Sequence, residues 1–236
     1  MNDDVEKASG SSREELVAEL DRLRQENREL REENKEFKKR LTFDRLTGFY
    51  REEVAQSKAL VILKDRFINS PDPFLLSMLV IDFDGLKWLN DHYSHETGDA
   101  AIRRFGEFVR EDIIPILNKR YSLPGIEEPF FAFRFFSRGD EFGLVLFGVD
   151  KKGAETVAKE LQEIPLAFEF QPQNGDSRTE IISYSVGTAS IEEEGVEAIK
   201  AREGTSDAKA REIYDLLKSR AEEKERANKK ERKGNG

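Results

Sequence analysis

L-L-S-M-L-V-I-D-F-D (Leu75–Asp84) and F-F-A-F-R-F-F-S-R-G-D-E-F-G-L-V-L-F (Phe130–Phe147) decide the fold of this chain. The first is an apolar run, Leu75–Ile81, that ends on two carboxylates, in V-I-D-F-D (Val80–Asp84). Its apolar continuity predicts a central strand. The second reads as an apolar hairpin, Phe130–Phe136 and Phe142–Phe147, with the acidic S-R-G-D-E-F (Ser137–Phe142) at its tip. Carboxylates at strand ends lose hydration and repel one another unless a cation neutralises them. If the strand and the hairpin are neighbours, Asp82 and Asp140 converge on one point. Oxygen donors on rigid elements suit Mg²⁺, which takes one or two protein carboxylates together with substrate phosphates. The residues therefore point to a metal–nucleotide site for phosphoryl or nucleotidyl transfer.

Outward from these strands the pattern alternates α and β. Asp44 is expected to cap a helix within Thr47–Phe67. Gly98–Leu117 reads as a helix with Ala101, Ile102, Phe105, Phe108, Val109 and Ile113 along one side. Lys151–Glu163 reads as a helix, Leu166–Gln171 and Ile181–Ala189 as strands, and Ser206–Ala227 as a last, heavily charged helix. Strand, helix, hairpin, helix and further strand make an α+β arrangement, a split βαβ-type sheet with helices over one face. Right-handed crossovers would bring the end of the first strand beside the central hairpin.

Ahead of this body, residues 13–43 carry a heptad repeat. Leu20, Asn27, Asn34 and Leu41 fall at a, and Leu16, Leu23, Leu30 and Phe37 at d. Asn at a favours a parallel two-stranded register. Glu19, Glu26 and Glu33 at g each precede Arg24, Arg31 and Lys38 at e by five, the spacing that pairs across a parallel homodimer. Residues 1–12 are polar and expected to be disordered, and 221–236 to form a charged, solvated tail. The globular domain is expected over 44–220.

Charged residues make up 37% of the 236 positions, with a net charge of −9, which argues against general nucleic-acid binding through phosphates. Cysteine is absent, so neither a disulfide framework nor a thiolate metal site is available. No basic-then-apolar leader and no long uncharged apolar run is present, so the expectation is a cytoplasmic chain with no membrane span.

D-R-L-T-G-F-Y-R (Asp44–Arg51), I-D-F-D-G-L-K-W-L-N-D-H-Y-S-H-E-T-G-D (Ile81–Asp99), R-G-D-E-F (Arg138–Phe142) and S-V-G (Ser185–Gly187) occur in this order. Over Asp44–Arg220 the chain resembles GGDEF domains, the diguanylate cyclases of bacterial signalling. The resemblance implies an α+β fold of the nucleotidyl-cyclase, palm-like (ferredoxin-like) kind, preceded here by a long coiled-coil helix. It also implies that two GTP condense to cyclic di-GMP with release of two pyrophosphates, each subunit of a homodimer holding one GTP. Asp82 would be a metal ligand with the Phe83 carbonyl, and Asp140 the ligand from the hairpin. Glu141 would either ligate a second ion or help activate the hydroxyl. The ion would be Mg²⁺ or Mn²⁺. Gly85 and Leu86 would offer backbone N–H groups to phosphates beside Lys87, and Asn90 and Asp99 would read guanine. His95 is read as a structural hydrogen-bonder and Trp88 as a packing residue.

The chain departs from the family pattern in three places. Arg138 replaces the first Gly of the signature. Pro129–Ala132 stands where the product-inhibition Arg-x-x-Asp would be, so feedback through that site is not expected. The last helix lacks the usual Gly-Arg-Asn turn, and Lys218, the phosphate-binding candidate, lies one residue off its usual spacing from Tyr214. The expected function is an active cyclase, with an upstream sensor or signalling partner. The alternative is a degenerate, non-catalytic domain that binds GTP or serves as a dimerisation module.

Overall fold

The strand β2 (Leu76–Asp84) is buried at eight of its nine positions, as its unbroken apolar run requires. The computed structural model of the chain describes residues 2–69, 74–121, 123, 125–136, 139–172, 175–192 and 195–234. Arg138, whose substitution for Gly stood out in the sequence, lies outside them.

The chain divides into two units, residues 1–42 and 43–236. The first is one helix, α1 (Asn2–Thr42), which begins ahead of the start expected at residue 13. Leu16, Leu20, Leu23, Leu30, Phe37 and Leu41 are 47–67% exposed along it. An apolar stripe at a and d spacing that finds no cover within its own unit is the pattern of a helix built for a partner.

The second unit is a six-stranded sheet in the order β1-β3-β4-β2-β6-β5. Its strands are β1 (Tyr50–Arg51), β2, β3 (Phe130–Arg134), β4 (Glu141–Phe147), β5 (Leu166–Phe170) and β6 (Arg178–Ser190). β1 runs parallel to β3 and every other pairing is antiparallel. The hairpin β3–β4 sits beside β2, the neighbourhood that the convergence of carboxylates needed.

Helices cover both faces of this sheet, whereas one face was expected. On one face, α4 (His95–Phe108), α5 (Ile114–Arg120) and α6 (Lys151–Glu163) pack on Leu79, Ile81 and Phe83 of β2 and on Phe142 and Leu144 of β4. On the other, α2 (Glu52–Leu63), α7 (Val196–Ala201) and α8 (Ser206–Gly234) pack on Leu76, Met78 and Val80 and on Val145 and Phe147. The reason is the strand itself. Side chains alternate between faces, so a run without polar alternation needs two covers.

Two local expectations also change. α4 and α5 are joined through a π-helical turn, Val109–Ile113. Pro115, in the first turn of α5, has no N–H to give to the preceding turn, and the ladder widens where that bond is missing. Asp44 does not cap a helix. Its Oδ1 accepts from Leu46 N at 3.2 Å, Thr47 N at 2.9 Å and Thr47 Oγ1 at 2.8 Å, closing a turn ahead of β1, and α2 starts only at Glu52.

α8 continues to Gly234 with Ala221 and Glu225 both buried. The boundary expected at Arg220 therefore falls inside a helix that lies on the sheet. Among the described residues, no helix is long and apolar enough to cross a membrane.

Candidate active site at the end of β2

Alternation along the strands decides which side chains meet. Even-numbered positions of β2 face α8, so Asp82 and Asp84 follow Met78 and Val80 onto that face. Asp82 lies opposite Glu141 on β4 and opposite Ser185 on β6. Directly opposed residues in antiparallel strands have Cβ atoms about 5 Å apart. Phe83 N donates to the Asp140 carbonyl at 3.1 Å, which fixes the hairpin tip against the end of β2. Asp82, Asp84, Asp140 and Glu141 thus gather at one corner of the sheet. The Phe83 ring points the other way, into Phe105 and Phe142 at centroid distances of 5.1 and 5.3 Å, and so anchors the strand end that carries the acids.

The gathered charge is answered from α8. Lys229 Nζ bonds Asp82 Oδ1 and lies 3.4 Å from the Phe83 carbonyl and 3.9 Å from Asp84 Oδ1. Arg232 Nη1 reaches Asp84 Oδ2 at 3.2 Å and the Tyr184 carbonyl at 2.6 Å. Asn228 Nδ2 donates to the Val186 carbonyl at 2.8 Å. Glu225 lies one turn before Lys229, 3% exposed, its Oε1 buried without a hydrogen-bond partner.

Gly187 lets the helix come this close: a Cβ there would stand 2.0 Å from the Ala221 carbonyl and 2.2 Å from Glu225 N. The glycine of S-V-G thereby has a packing reason.

Burial pushes the Asp82 carboxyl up, Asp140 and Asp84 add to this, and the Lys229 bond only partly offsets it. Burial also pushes Glu225 up to about 7, with Asp82, Glu141 and Asp84 reinforcing it against Lys229. For Lys229, burial favours the neutral form, but the bond to Asp82 and the charges of Asp84 and Glu225 outweigh it and hold the ammonium above its usual range. The site is thus short of positive charge even with Lys229 in it.

Among the described residues, no three acidic or histidine side chains are already grouped closely enough to hold a metal. The donor chemistry nevertheless fits a hard divalent cation. Asp82, Asp140, Glu141 and the Phe83 carbonyl offer oxygen alone, and the Lys229 ammonium is a stand-in cation on two of them.

Gly85, at φ 85°, turns the chain out of β2 into α3 (Leu86–His92), a conformation that glycine adopts without strain. One turn on, half-buried Asn90 presents its Oδ1 to Gly98 of α4, where a Cβ would lie 2.0 Å away. That oxygen is also buried without a partner. Asn90 is thus brought next to the residue preceding Asp99, which is exposed. Lys87 is exposed on α3.

Trp88 is 52% exposed and stacked on His92 at 4.7 Å, so it is a surface ring and not the packing residue expected. His95 is exposed at the start of α4, where Ser94 supplies the capping bond to Thr97 N at 3.3 Å.

Lys218 does not join the acidic corner. It pairs with Glu52 at 2.5 Å and lies 4.7 Å over the Phe135 ring, eleven residues before Lys229 and so about 16 Å back along the helix axis. The sequence reading missed Arg134, Glu225, Asn228, Lys229 and Arg232. Arg134 braces the signature turn through the Gly139 carbonyl at 3.0 and 2.6 Å and pairs with Asp44 at 3.3 Å. Its position, alone in the apolar run before the turn, was the available signal. The α8 residues carried none, because their partners are far away in sequence.

No family model matches the chain. A 73-residue stretch is 38% identical to the diguanylate cyclase DgcS of Shewanella oneidensis, covering 30% of this chain and 23% of that protein. The chain spans between 10% and 23% of the curated relatives it matches. Among solved structures, it is similar to the coiled coil and GGDEF domain of DgcB from Caulobacter crescentus, solved in complex with c-di-GMP. That likeness has a TM-score of 0.58 at 22% identity, over 91% of this chain and 94% of that one. It is also similar to the diguanylate cyclase SiaD from Pseudomonas aeruginosa in complex with its activator SiaC. Here the TM-score is 0.51 at 21% identity, over 92% of this chain and 68% of that one. At these identities the likeness is one of fold. It agrees with the motif order and the sheet order: the globular unit has the fold of GGDEF domains, and the long helix ahead of it has its counterpart in the coiled coil of DgcB.

Proposed function

We propose that this chain is a diguanylate cyclase, which joins two GTP molecules into cyclic di-GMP and releases two pyrophosphates, with one GTP held by each subunit of a homodimer. The observation that carries this reading is the meeting of Asp82, the Phe83 carbonyl, Asp140 and Glu141 at one corner that already draws a cation to itself. These groups would hold Mg²⁺ or Mn²⁺, which when bound neutralises phosphate charge during transfer. The Gly85 and Leu86 amides and Lys87 would meet the phosphates. Asn90 and Asp99 would read the guanine edge, with Asp99 accepting from N1–H and the exocyclic amine, a pattern adenine does not offer. Each 3′-hydroxyl attacks the α-phosphorus of the GTP on the facing subunit. The new P–O bond forms as the bond to pyrophosphate breaks, and Glu141 either ligates a second ion or helps remove the hydroxyl proton. Catalysis is then mostly positioning and charge neutralisation.

The dimer would form through the apolar stripe of α1 in parallel register, which raises the effective concentration of one site near the other. SiaD is bound by an activator, and the upstream partner proposed here would act in a comparable way. The test is incubation of the whole protein with GTP and Mg²⁺, then Mn²⁺, with products resolved by mass spectrometry. Cyclic di-GMP from the wild type and none from Asp140→Ala, with the dimer intact, is the expected result. Undiminished turnover by Asp140→Ala would overturn the assignment.

A second reading has its own support. Lys218 is spent on Glu52 and Phe135, and no Gly-Arg-Asn turn follows it. A non-catalytic domain that binds GTP and passes its occupancy to a partner fits those facts, and tight GTP binding without product would select it.

A further inference from the structure

We propose that the last turns of α8, from Glu225 to Arg232, are an internal competitor for the cation site, and that they must leave the sheet before a divalent cation and nucleotide can bind. The inference rests on the reading of Asp82, Phe83 and Asp140 as that site.

The contacts single out this segment. Lys229 bonds the Asp82 carboxylate and approaches the Phe83 carbonyl, the same two groups that β2 would offer a metal. A cation at those oxygens and the Lys229 ammonium exclude each other. Arg232 takes Asp84 and the Tyr184 carbonyl, so the whole acidic end of β2 is engaged from one helix.

The helix is also built to release there. Its apolar anchors, Ala210, Ile213, Tyr214, Leu217 and Ala221, all lie before Glu225. Beyond Glu225 every described side chain is exposed except partly buried Lys229, and Asn228, Lys229 and Arg232 tie this part of the helix to the sheet through polar contacts. Docking also buries the Glu225 carboxylate beside Asp82 and leaves its Oε1 without a partner. A buried polar atom without a partner opposes the docked state, while Lys229 and Arg232 favour it. A segment held by opposing polar terms, with no apolar surface of its own to bury, is the kind of element a ligand can shift. The proximal helix keeps its place when the distal turns lift.

The test uses the full chain and Mn²⁺ alone as probe, followed by electron paramagnetic resonance, so that no turnover is needed. Lys229→Met with Arg232→Met is expected to tighten Mn²⁺ binding by about tenfold or more. Arg226→Met with Lys230→Met, which removes the same two positive charges from exposed positions of the same helix, is expected to stay within about twofold of wild type. Adding Asp82→Asn to the double variant of Lys229 and Arg232 should abolish the gain. An unchanged or weaker Mn²⁺ affinity in the double variant overturns the proposal, as does a gain that survives Asp82→Asn.

The wild type supplies a second measurement free of folding effects. Saturating Mn²⁺ and GTP should speed amide hydrogen exchange in residues 222–232 and leave 210–221 protected, and no change in 222–232 refutes the release. The failure of the cyclase reading is separate: a double variant that gains Mn²⁺ affinity yet makes no cyclic di-GMP keeps the competitor and removes the enzyme.

Discussion

Gly187→Ala tests the docking of α8 most directly. The added Cβ would lie 2.0 Å from the Ala221 carbonyl oxygen and 2.2 Å from Glu225 N. Both are backbone atoms, so no rotamer change relieves the clash, and one partner must move by about 1.4 Å to reach an ordinary contact. β6 is held between β2 and β5 and does not yield readily. The start of α8 is held by buried Ile213, Tyr214 and Leu217. The displacement therefore falls on the distal end, where the tethers of Asn228, Lys229 and Arg232 are stretched. Overpacking of this kind costs about 1–3 kcal/mol. Giving up these polar tethers caps the cost near the middle of that range, since each contributes roughly 0.5–1 kcal/mol. For a domain of this size about 2 kcal/mol lowers Tm by roughly 4–8 °C. Thermal unfolding followed by circular dichroism measures it, with hydrogen exchange to locate the loosening in residues 222–232. Gly175→Ala is the control, because nothing lies within 4 Å of a Cβ there. If Gly187→Ala melts within about 1 °C of wild type with α8 protection intact, the helix end does not rest on β6, and the site geometry described above is wrong.

Glu225→Gln should change the pH dependence of stability. Its carboxyl is raised from an ordinary 4.5 to about 7, so the wild type loses stability as pH rises across that window and the variant does not. The variant is expected to melt higher than wild type above pH 7 and level with it below pH 4.5, and parallel Tm curves from pH 4 to 8 would refute this. Arg134→Ala removes the brace on the Gly139 carbonyl and the pair with Asp44, at a cost of about 1–3 kcal/mol measurable by urea unfolding, and an unchanged midpoint would show that the turn holds without it. Burial works against ionisation of Asp44, but the Thr47 hydrogen bonds and Arg134 outweigh it and keep the carboxyl below its ordinary range. Arg134→Ala should therefore shrink the part of the acid-induced loss that belongs to Asp44. Leu23→Lys with Leu30→Lys places charge in the apolar stripe of α1 and is expected to give a monomer by sedimentation, leaving the melting of the globular unit unchanged. A dimer that persists would move the interface elsewhere.

The sequence by itself determined the elements whose cause is local. The unbroken apolar run of β2 predicted a central strand, and the acidic tip between two phenylalanine-rich runs predicted the hairpin β3–β4. The helix over Lys151–Glu163 follows from Val157 and Leu161 at helical spacing, with Asp150 capping through a bond from Gly153 N at 2.7 Å. Period and turn chemistry act within a few residues, so they are visible in a string of letters. The approach of the β2 end to Asp140 was legible one step further on, because the strand order that makes the hairpin a neighbour of β2 follows from topology.

What covers the site was not legible. E-E-K-E-R-A-N-K-K-E-R-K (Glu222–Lys233) reads as a solvated run, since nothing in its composition marks Lys229 from Lys230. The tertiary structure separates them. Lys229 meets Asp82 across 147 residues, and it does so because Gly187 lets α8 down onto the sheet and helical phase turns that one lysine toward the acids. Partner choice at that distance is set by the packing of two elements against each other, and no local pattern encodes it.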